Sequence, residues 1–262
     1  GRFLGFTLSR PDRPDDVYVF EIETKKIVQW TESELGTVDS KKMIIPELIQ
    51  YPTFDSIDGH ARMIPCFKYL PQGAGPFPVL ITIHGGPETQ YWPYFSQTVQ
   101  FYVNELQCAV LAPNVRGSGG YGKTYLSLDN GILRENAVKD IGSLLEWIRS
   151  CKEFDSTRIA VMGGSYGGYM ALASMIHYGE KLRAGIDLYG ISNYITFLEN
   201  TASYRRDIRR AEYGDERDSL MREYLFKISQ LTNASKIKRP LLIIQGANDP
   251  RVPASESEQI VQ

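Results

Sequence analysis

The segment 159–170 constrains the fold of this chain more than any other. It begins with an apolar run at 159–162, continues as GGSYG at 163–167, and is followed by an apolar helical segment at 171–176. This pattern predicts a strand, a sharp turn and a helix, with Ser165 at the turn as in the GxSxG nucleophile elbow. Glycines are needed there because side chains would collide with the strand or the helix. An ordinary glycine-rich loop is the alternative, but the flanking strand and helix favour the elbow.

The chain alternates strands and helices from residue 78 onward. Continuous apolar runs predict strands that are covered on both faces, at 79–83, 109–112, 158–162, 184–188 and 241–244. Helical periodicity occurs at 96–106, 135–151 and 168–178. Such alternation predicts an α/β fold with a mostly parallel central sheet. Residues 191–238 carry helical segments but no strand signal, so we expect an insertion that covers the site.

The first 30 residues predict three short strands with polar turns between them, at 3–8, 16–23 and 27–30. Three short strands cannot bury both faces of a sheet, so we expect the last blade of a β-propeller whose other blades lie outside this sequence. A free-standing hairpin is the alternative, and it is disfavoured because so small a unit is marginally stable. The polar connector 31–42 predicts a domain boundary, with a propeller end at 1–42 and an α/β domain at 43–262.

Charge and cysteine content exclude several classes of protein. The chain has 29 Lys and Arg against 31 Asp and Glu, so no field favours nucleic acid or an anionic membrane surface. The basic run at 205–210 is a local exception, interpreted as a solvated helix face or a substrate-facing insertion. Cys66, Cys108 and Cys151 are too few and too scattered for a disulfide framework or a metal site, and we expect neither metal nor cofactor. No segment approaches the ~20 apolar residues of a membrane span.

Asp249 is the candidate acid that would serve Ser165. α/β-Hydrolases place this acid at the carboxyl end of a later strand, and Asp249 follows the apolar run at 241–244. An aspartate in an NDP sequence is often only a turn residue. Because the GxSxG elbow lies upstream, we interpret Asp249 as the catalytic acid and not only as a turn residue.

Two backbone N–H groups are expected to form an oxyanion hole. One belongs to Tyr166, directly after the nucleophile, and the other comes from HGGP at 84–87, which follows the run at 79–83. Gly86 is the first choice and Gly85 the second, because the sequence does not fix which amide points inward. His84 is predicted to contribute to substrate binding. Its position on this loop favours an orienting or packing role, and not that of a general base or a metal ligand.

The sequence does not identify a general base. It contains His60, His84 and His177, and none stands where an α/β-hydrolase places its catalytic histidine. His177 is roughly 18 Å along the helix that follows Ser165, at about 1.5 Å rise per residue. We expect the histidine beyond Gln262, which leaves an incomplete triad within these residues.

Four motifs together resemble the prolyl oligopeptidase family of serine peptidases. In chain order they are HGGP at 84–87, NVRGSGGYG at 114–122, GGSYGGYM at 163–170 and GANDPRVP at 246–253. The resemblance covers about residues 45–262, while 1–30 is similar to a last propeller blade, and it is strongest to the acylaminoacyl-peptidase and dipeptidyl-peptidase-like branch. It implies an α/β-hydrolase catalytic domain, capped by an N-terminal β-propeller, that acts on short peptides.

The same resemblance implies roles for individual residues. Ser165 would be the nucleophile and Asp249 the acid, with oxyanion donors at Tyr166 and in the 84–87 loop. The family's histidine, usually in a His-Gly pair after the aspartate, has no counterpart in this sequence. Arg251 carries a fixed cation that could hold a substrate carbonyl or carboxylate, and a structural salt bridge is the equal alternative.

These observations predict a serine peptidase that hydrolyses short peptides through an acyl-enzyme on Ser165. An esterase or other acyl hydrolase of the same fold is one alternative, because the elbow and the oxyanion hole serve any acyl transfer. A non-catalytic binding module is the other. The expected partners are short peptides, with no nucleic acid and no membrane, and a homo-oligomer is compatible with the sequence. No compartment is assigned, with the cytoplasm slightly preferred.

Overall fold

The computed structural model describes residues 1–36 and 38–262, and these residues form two separate β-sheets. The first sheet is antiparallel, in the order β1 (Phe3–Arg10), β2 (Arg13–Glu21), β3 (Lys26–Gln29). β2 begins earlier than predicted because Arg10 pairs directly with Arg13, which shortens the first turn to two residues. Phe3, Val28 and Trp30 are 60%, 54% and 71% exposed. This sheet therefore leaves apolar surface uncovered, as expected for part of a larger assembly.

The second sheet has seven strands in the order β10-β9-β8-β6-β7-β5-β4. The five strands from β6 to β10 pair in parallel, whereas β5 pairs antiparallel with both β4 and β7. The predicted parallel strands are thus confirmed, but β10 is not covered on both faces as predicted, because it is an edge strand in which Leu242 and Ile244 are 53% and 49% exposed. The bounds are β4 (Glu47–Ile57), β5 (His60–Tyr69), β6 (Phe77–Ile83), β7 (Ala109–Pro113), β8 (Phe154–Gly164), β9 (Ala184–Leu188) and β10 (Leu241–Ile244).

Helices cover this sheet and fill the segment between β9 and β10. The α-helices are α1 (Gln97–Asn104), α2 (Lys123–Leu126), α3 (Glu135–Ser150), α4 (Tyr166–Tyr178), α5 (Tyr194–Asn200), α6 (Ser203–Tyr213), α7 (Ser219–Ile228), α8 (Gln230–Asn233) and α9 (Ala254–Val261). Short 3₁₀ helices lie at Ser40–Lys42, Ser127–Asp129, Gly131–Leu133 and Ala234–Lys236. The predicted insertion is confirmed as α5 to α8, and no strand occurs in that stretch. Among the described residues, no helix has the length and apolar character to cross a membrane.

Helix α4 is the buried centre of the fold. Every residue from Tyr166 to Met175 is buried, because the helix packs against β6, β8 and β9 and is apolar on all sides. Its N-terminus therefore has little freedom to move. The fold class is the predicted one, an α/β-hydrolase sheet preceded by three strands of a propeller blade, while the domain boundary at residue 42 stays a prediction.

Close packing between α4 and β6 leaves no space for a side chain at Gly167. A Cβ there would meet the carbonyl oxygen of Ile83 and, at 2.9 Å, that of His84. Both neighbours are backbone atoms, so the strand or the helix would have to shift. We expect Gly167→Ala to destabilise the fold by about 2 kcal/mol or more, measured as a lower melting temperature of the full-length protein. Gly5→Ala is the control, since a Cβ at Gly5 meets nothing within 4 Å; equal melting temperatures for the two variants would contradict the close packing.

Candidate active site

Ser165 occupies a sharp turn between β8 and α4. Its backbone has φ 57° and ψ −118°, a conformation that costs a residue with a side chain roughly 1–3 kcal/mol. The turn is held because the Ser165 N–H donates to the Leu188 carbonyl at 2.9 Å and its carbonyl accepts from the Tyr169 N–H at 3.1 Å. This strand, strained serine and helix have the geometry of a nucleophile elbow.

The Ser165 side chain is partly exposed in a cleft of about 520 Å³. The walls come from the end of β6 and the loop after it, the loop after β9, helix α6 and the loop after β10. These walls bring together segments that lie far apart in the sequence. The lining residues used below are Ser165, His84, Gly85, Gly86, Arg205, Arg209 and Arg251.

The loop after β6 holds Gly86 in a conformation that suits glycine. Its φ is +131°, and a Cβ there would lie 2.7 Å from the Thr89 nitrogen. The preceding carbonyl, that of Gly85, accepts hydrogen bonds from His84 Nδ1 at 2.7 Å and from the Thr89 hydroxyl. The N–H and C=O of a peptide lie in one plane and point in opposite directions. These bonds therefore fix the direction of the Gly86 N–H, the first-choice oxyanion donor.

His84 is engaged with the protein at both ring nitrogens. Nδ1 donates to the Gly85 carbonyl, and Nε2 lies 2.8 Å from Ser118 Oγ. Burial lowers the pKa of His84, more than the bond to Gly85 raises it, so the imidazole is neutral at pH 7. These contacts give His84 an orienting position and leave no nitrogen free to take a proton from Ser165.

Tyr166 follows Ser165 directly and does not itself line the cleft. The side chain is fully buried, and its hydroxyl donates to Asp129 Oδ2 at 3.2 Å. Burial raises the pKa of Tyr166 well above its ordinary value, so the hydroxyl stays protonated. The Tyr166 N–H belongs to the first turn of α4, where helix N–H groups lack partners within the helix. Its role as an oxyanion donor stays a prediction.

Asp249 lies in the loop after β10, and only β9 separates that strand from β8. Its Oδ1 accepts from the N–H groups of Arg251 at 2.8 Å and Val252 at 3.2 Å. Burial alone would raise the pKa of Asp249, but these bonds and the Arg251 guanidinium lower it below the ordinary value. The carboxylate is thus ionised at pH 7, and within residues 1–36 and 38–262 no donor bonds to Oδ2.

The two remaining histidines lie outside the cleft. His177 Nε2 is 3.1 Å from Glu135 Oε1 on the surface, and His60 pairs with Ile57 at the tip of the β4–β5 hairpin. No histidine in this sequence is placed to act as the base for Ser165. In the described part of the chain, no group of three or more His, Cys, Asp or Glu side chains could hold a metal ion.

The basic run at 205–210 is divided between two environments. Arg205 and Arg209 line the cleft, whereas Arg206 donates to the Thr201 carbonyl and Arg210 pairs with Glu216. Residues four apart share one face of a helix. The four-residue spacing of Arg205 and Arg209 is therefore a sequence signal for two arginines on one side of the cleft.

The fold and the elbow define an α/β-hydrolase, and the comparisons with known proteins agree. A model of the prolyl oligopeptidase family matches residues 93–262, and the chain belongs to that family. Dipeptidyl aminopeptidase BIII of Pseudoxanthomonas mexicana is 31% identical over 246 residues, which cover 92% of this chain and 34% of that protein. Dipeptidyl peptidase family member 6 of Caenorhabditis elegans is 30% identical over 277 residues, covering 97% and 37%.

A solved structure supports the fold. The crystal structure of a puromycin hydrolase matches with a TM-score of 0.89 at 21% identity, covering 100% of this chain and 39% of that one. The resemblance to the prolyl oligopeptidase family is confirmed. This chain spans little more than a third of the length of the curated relatives it matches.

Proposed function

We propose that this protein is a serine peptidase that hydrolyses short peptides through an acyl-enzyme on Ser165. The observation that carries the proposal is the strained Ser165 elbow, which opens into a cleft shared with the 84–86 loop and Arg251. Two relatives are named as a dipeptidyl aminopeptidase and a dipeptidyl peptidase family member, and these names favour peptide substrates.

The chemistry follows from the position of each group. Ser165 Oγ attacks the peptide carbonyl and passes its proton to a base, which then protonates the leaving amine. The N–H groups of Tyr166 and Gly86 stabilise the oxyanion, and the positive end of the α4 dipole adds to this effect. Asp249 orients the base and stabilises its charged form through Oδ2. Water then hydrolyses the acyl-enzyme and restores Ser165.

The base in this mechanism is proposed to be a histidine outside these 262 residues. His84 is excluded by its contacts at both ring nitrogens, and His60 and His177 lie outside the cleft. Asp249 supports the proposal, because its ionised carboxylate has one oxygen available for an imidazole N–H. We also propose that residues 1–42 close a propeller and that 43–262 belong to the catalytic domain.

Arg251 is proposed to hold a substrate carbonyl or carboxylate. Its guanidinium lines the cleft, and its contact with Asp249 is long, at 3.5 Å from Nε to Oδ1. We expect Arg251→Ala to lower kcat/KM for peptides about 10- to 100-fold, since a charge-assisted hydrogen bond is worth about 1.5–3 kcal/mol. The loss should appear mainly in KM, measured by steady-state kinetics of the full-length protein.

The control for Arg251 is the rate at which a small fluorophosphonate labels Ser165. This reagent carries no peptide, so Arg251→Ala should label at the wild-type rate. Peptide kinetics that are unchanged in Arg251→Ala would instead assign the guanidinium a structural salt-bridge role.

Turnover of two substrate classes tests the proposed function. We expect the full-length protein to hydrolyse aminoacyl and dipeptidyl anilides with a higher kcat/KM than simple p-nitrophenyl esters of comparable size. A preference for the esters would identify an esterase of the same fold. Turnover of neither class, with no fluorophosphonate adduct, would leave a binding module.

A further inference from the structure

Arg209 of helix α6 contacts the loop that carries the proposed oxyanion donor Gly86. Its Nη1 donates to the Gly86 carbonyl at 2.9 Å and to Glu212 Oε2 at 2.5 Å. The side chain is only partly exposed, and it lines the same cleft as Ser165. The insertion between β9 and β10 therefore reaches across to the loop after β6.

A buried network continues from Glu212 to the other proposed donor. Arg134 is fully buried, and its Nη2 donates to the Glu212 carbonyl at 2.9 Å while its Nη1 donates to Asp129 Oδ2 at 2.5 Å. The same Asp129 oxygen accepts from the Tyr166 hydroxyl at 3.2 Å. The Arg134 guanidinium also lies 5.4 Å from the centroid of the Tyr166 ring. Tyr166 and Gly86 are thus the two ends of one chain of contacts.

We propose that Arg209 is a positioning residue that fixes the Gly86 N–H relative to the Tyr166 N–H, the two proposed oxyanion donors. This inference rests on the proposed function. The peptide before Gly86 is held through the Gly85 carbonyl, and Arg209 holds the peptide after it. With both peptides held, the Gly86 N–H keeps one fixed direction. A donor that is fixed before the reaction needs no reorganisation when the oxyanion forms.

The variant Arg209→Gln in the full-length protein tests the proposal, because a glutamine is too short to span Glu212 and Gly86. We expect kcat for an anilide substrate to fall about 10- to 100-fold, since a misplaced donor weakens transition-state stabilisation. KM should stay within about twofold, since no ground-state contact is lost. A raised KM with unchanged kcat would overturn the proposal and assign Arg209 to substrate binding.

Arg206→Gln is the matched control. Arg206 lies on the same helix and donates to a backbone carbonyl, that of Thr201, at 3.0 Å, but it does not line the cleft. We expect its kcat to equal that of the wild type. An equal loss of kcat in both variants would show a general effect on α6 and would overturn the specific role of Arg209.

A lysine variant separates positioning from folding. Glu212 is 4% exposed, and burial raises its pKa to about 7 although Arg134 and Arg209 act to lower it. Arg209→Gln therefore removes a charge that stabilises the Glu212 carboxylate, in addition to the hydrogen bond to Gly86. Arg209→Lys keeps the charge, but its ammonium sits on a shorter and more flexible stem, so it does not hold the position from which Nη1 contacts both Gly86 and Glu212. We expect it to restore the wild-type melting temperature while kcat stays at least about tenfold low. Recovery of both together would overturn the proposal.

Fluorophosphonate labelling of the wild type distinguishes failure of this inference from failure of the proposed function. A wild type that does not label at Ser165 would overturn both. A wild type that labels, together with wild-type kcat in Arg209→Gln, would overturn the positioning role alone.

Discussion

Ser165→Ala is expected to abolish peptide hydrolysis, with kcat falling by at least about 10⁴-fold. The methyl group cannot attack a carbonyl, and the neighbouring hydroxyl of the elbow, that of Tyr166, is buried and bonded to Asp129. Whatever rate remains would come from the oxyanion donors acting on water. The measurement is the steady-state turnover of an anilide substrate by the full-length protein.

The fold should tolerate this change. Alanine removes one oxygen at a partly exposed position, and the backbone bonds to Leu188 and Tyr169 do not involve the side chain. Ser118→Ala is a useful control, because that serine contacts His84 and should impair the loop without removing the nucleophile. Activity of Ser165→Ala above that of Ser118→Ala would contradict the assignment of Ser165.

Asp249→Asn is expected to lower kcat about 10³- to 10⁴-fold. An amide can neither stabilise the charged form of a base nor hold the base in the tautomer that accepts a proton from serine. The loop itself should persist, because the asparagine oxygen can still accept from the N–H groups of Arg251 and Val252. Steady-state kinetics and the melting temperature of the variant measure the two effects separately.

Asp215→Asn is the matched control for Asp249. Asp215 also accepts from a backbone N–H two residues ahead, that of Arg217 at 3.0 Å, and its salt bridge to Arg217 is on the surface. We expect no change in kcat for this variant. A similar kcat in Asp249→Asn and the wild type would remove Asp249 from the proposed triad.

The sheet and the elbow could be predicted because their signals are local. Strands β6 and β7 are buried apolar runs, and the edge strand β10 is equally apolar although one of its faces is exposed. Gly167 marks where α4 approaches β6 too closely for a side chain. β8 is longer than predicted, since it begins at Phe154, which pairs with Phe77. This extension was not predicted because residues 155–157 are polar and interrupt the apolar run.

The contacts that support the site could not be predicted, because they join distant segments. Arg209 meets Gly86 across more than a hundred residues, and Arg134 meets Glu212 only because α6 folds back over the region before α3. Hydrophobic periodicity predicts whether a residue is buried or exposed, but it does not predict which distant residue it contacts. His84 illustrates this limit, since its link to Ser118 depends on the conformation of two separate loops.

Mass-spectrometric mapping of the full-length protein after treatment with a fluorophosphonate tests the nucleophile most directly. The expected result is a single adduct on the peptide that contains Ser165, formed rapidly in the wild type and absent in Ser165→Ala. An adduct on a different residue, or an intact unmodified Ser165 peptide after prolonged treatment, would contradict the assignment.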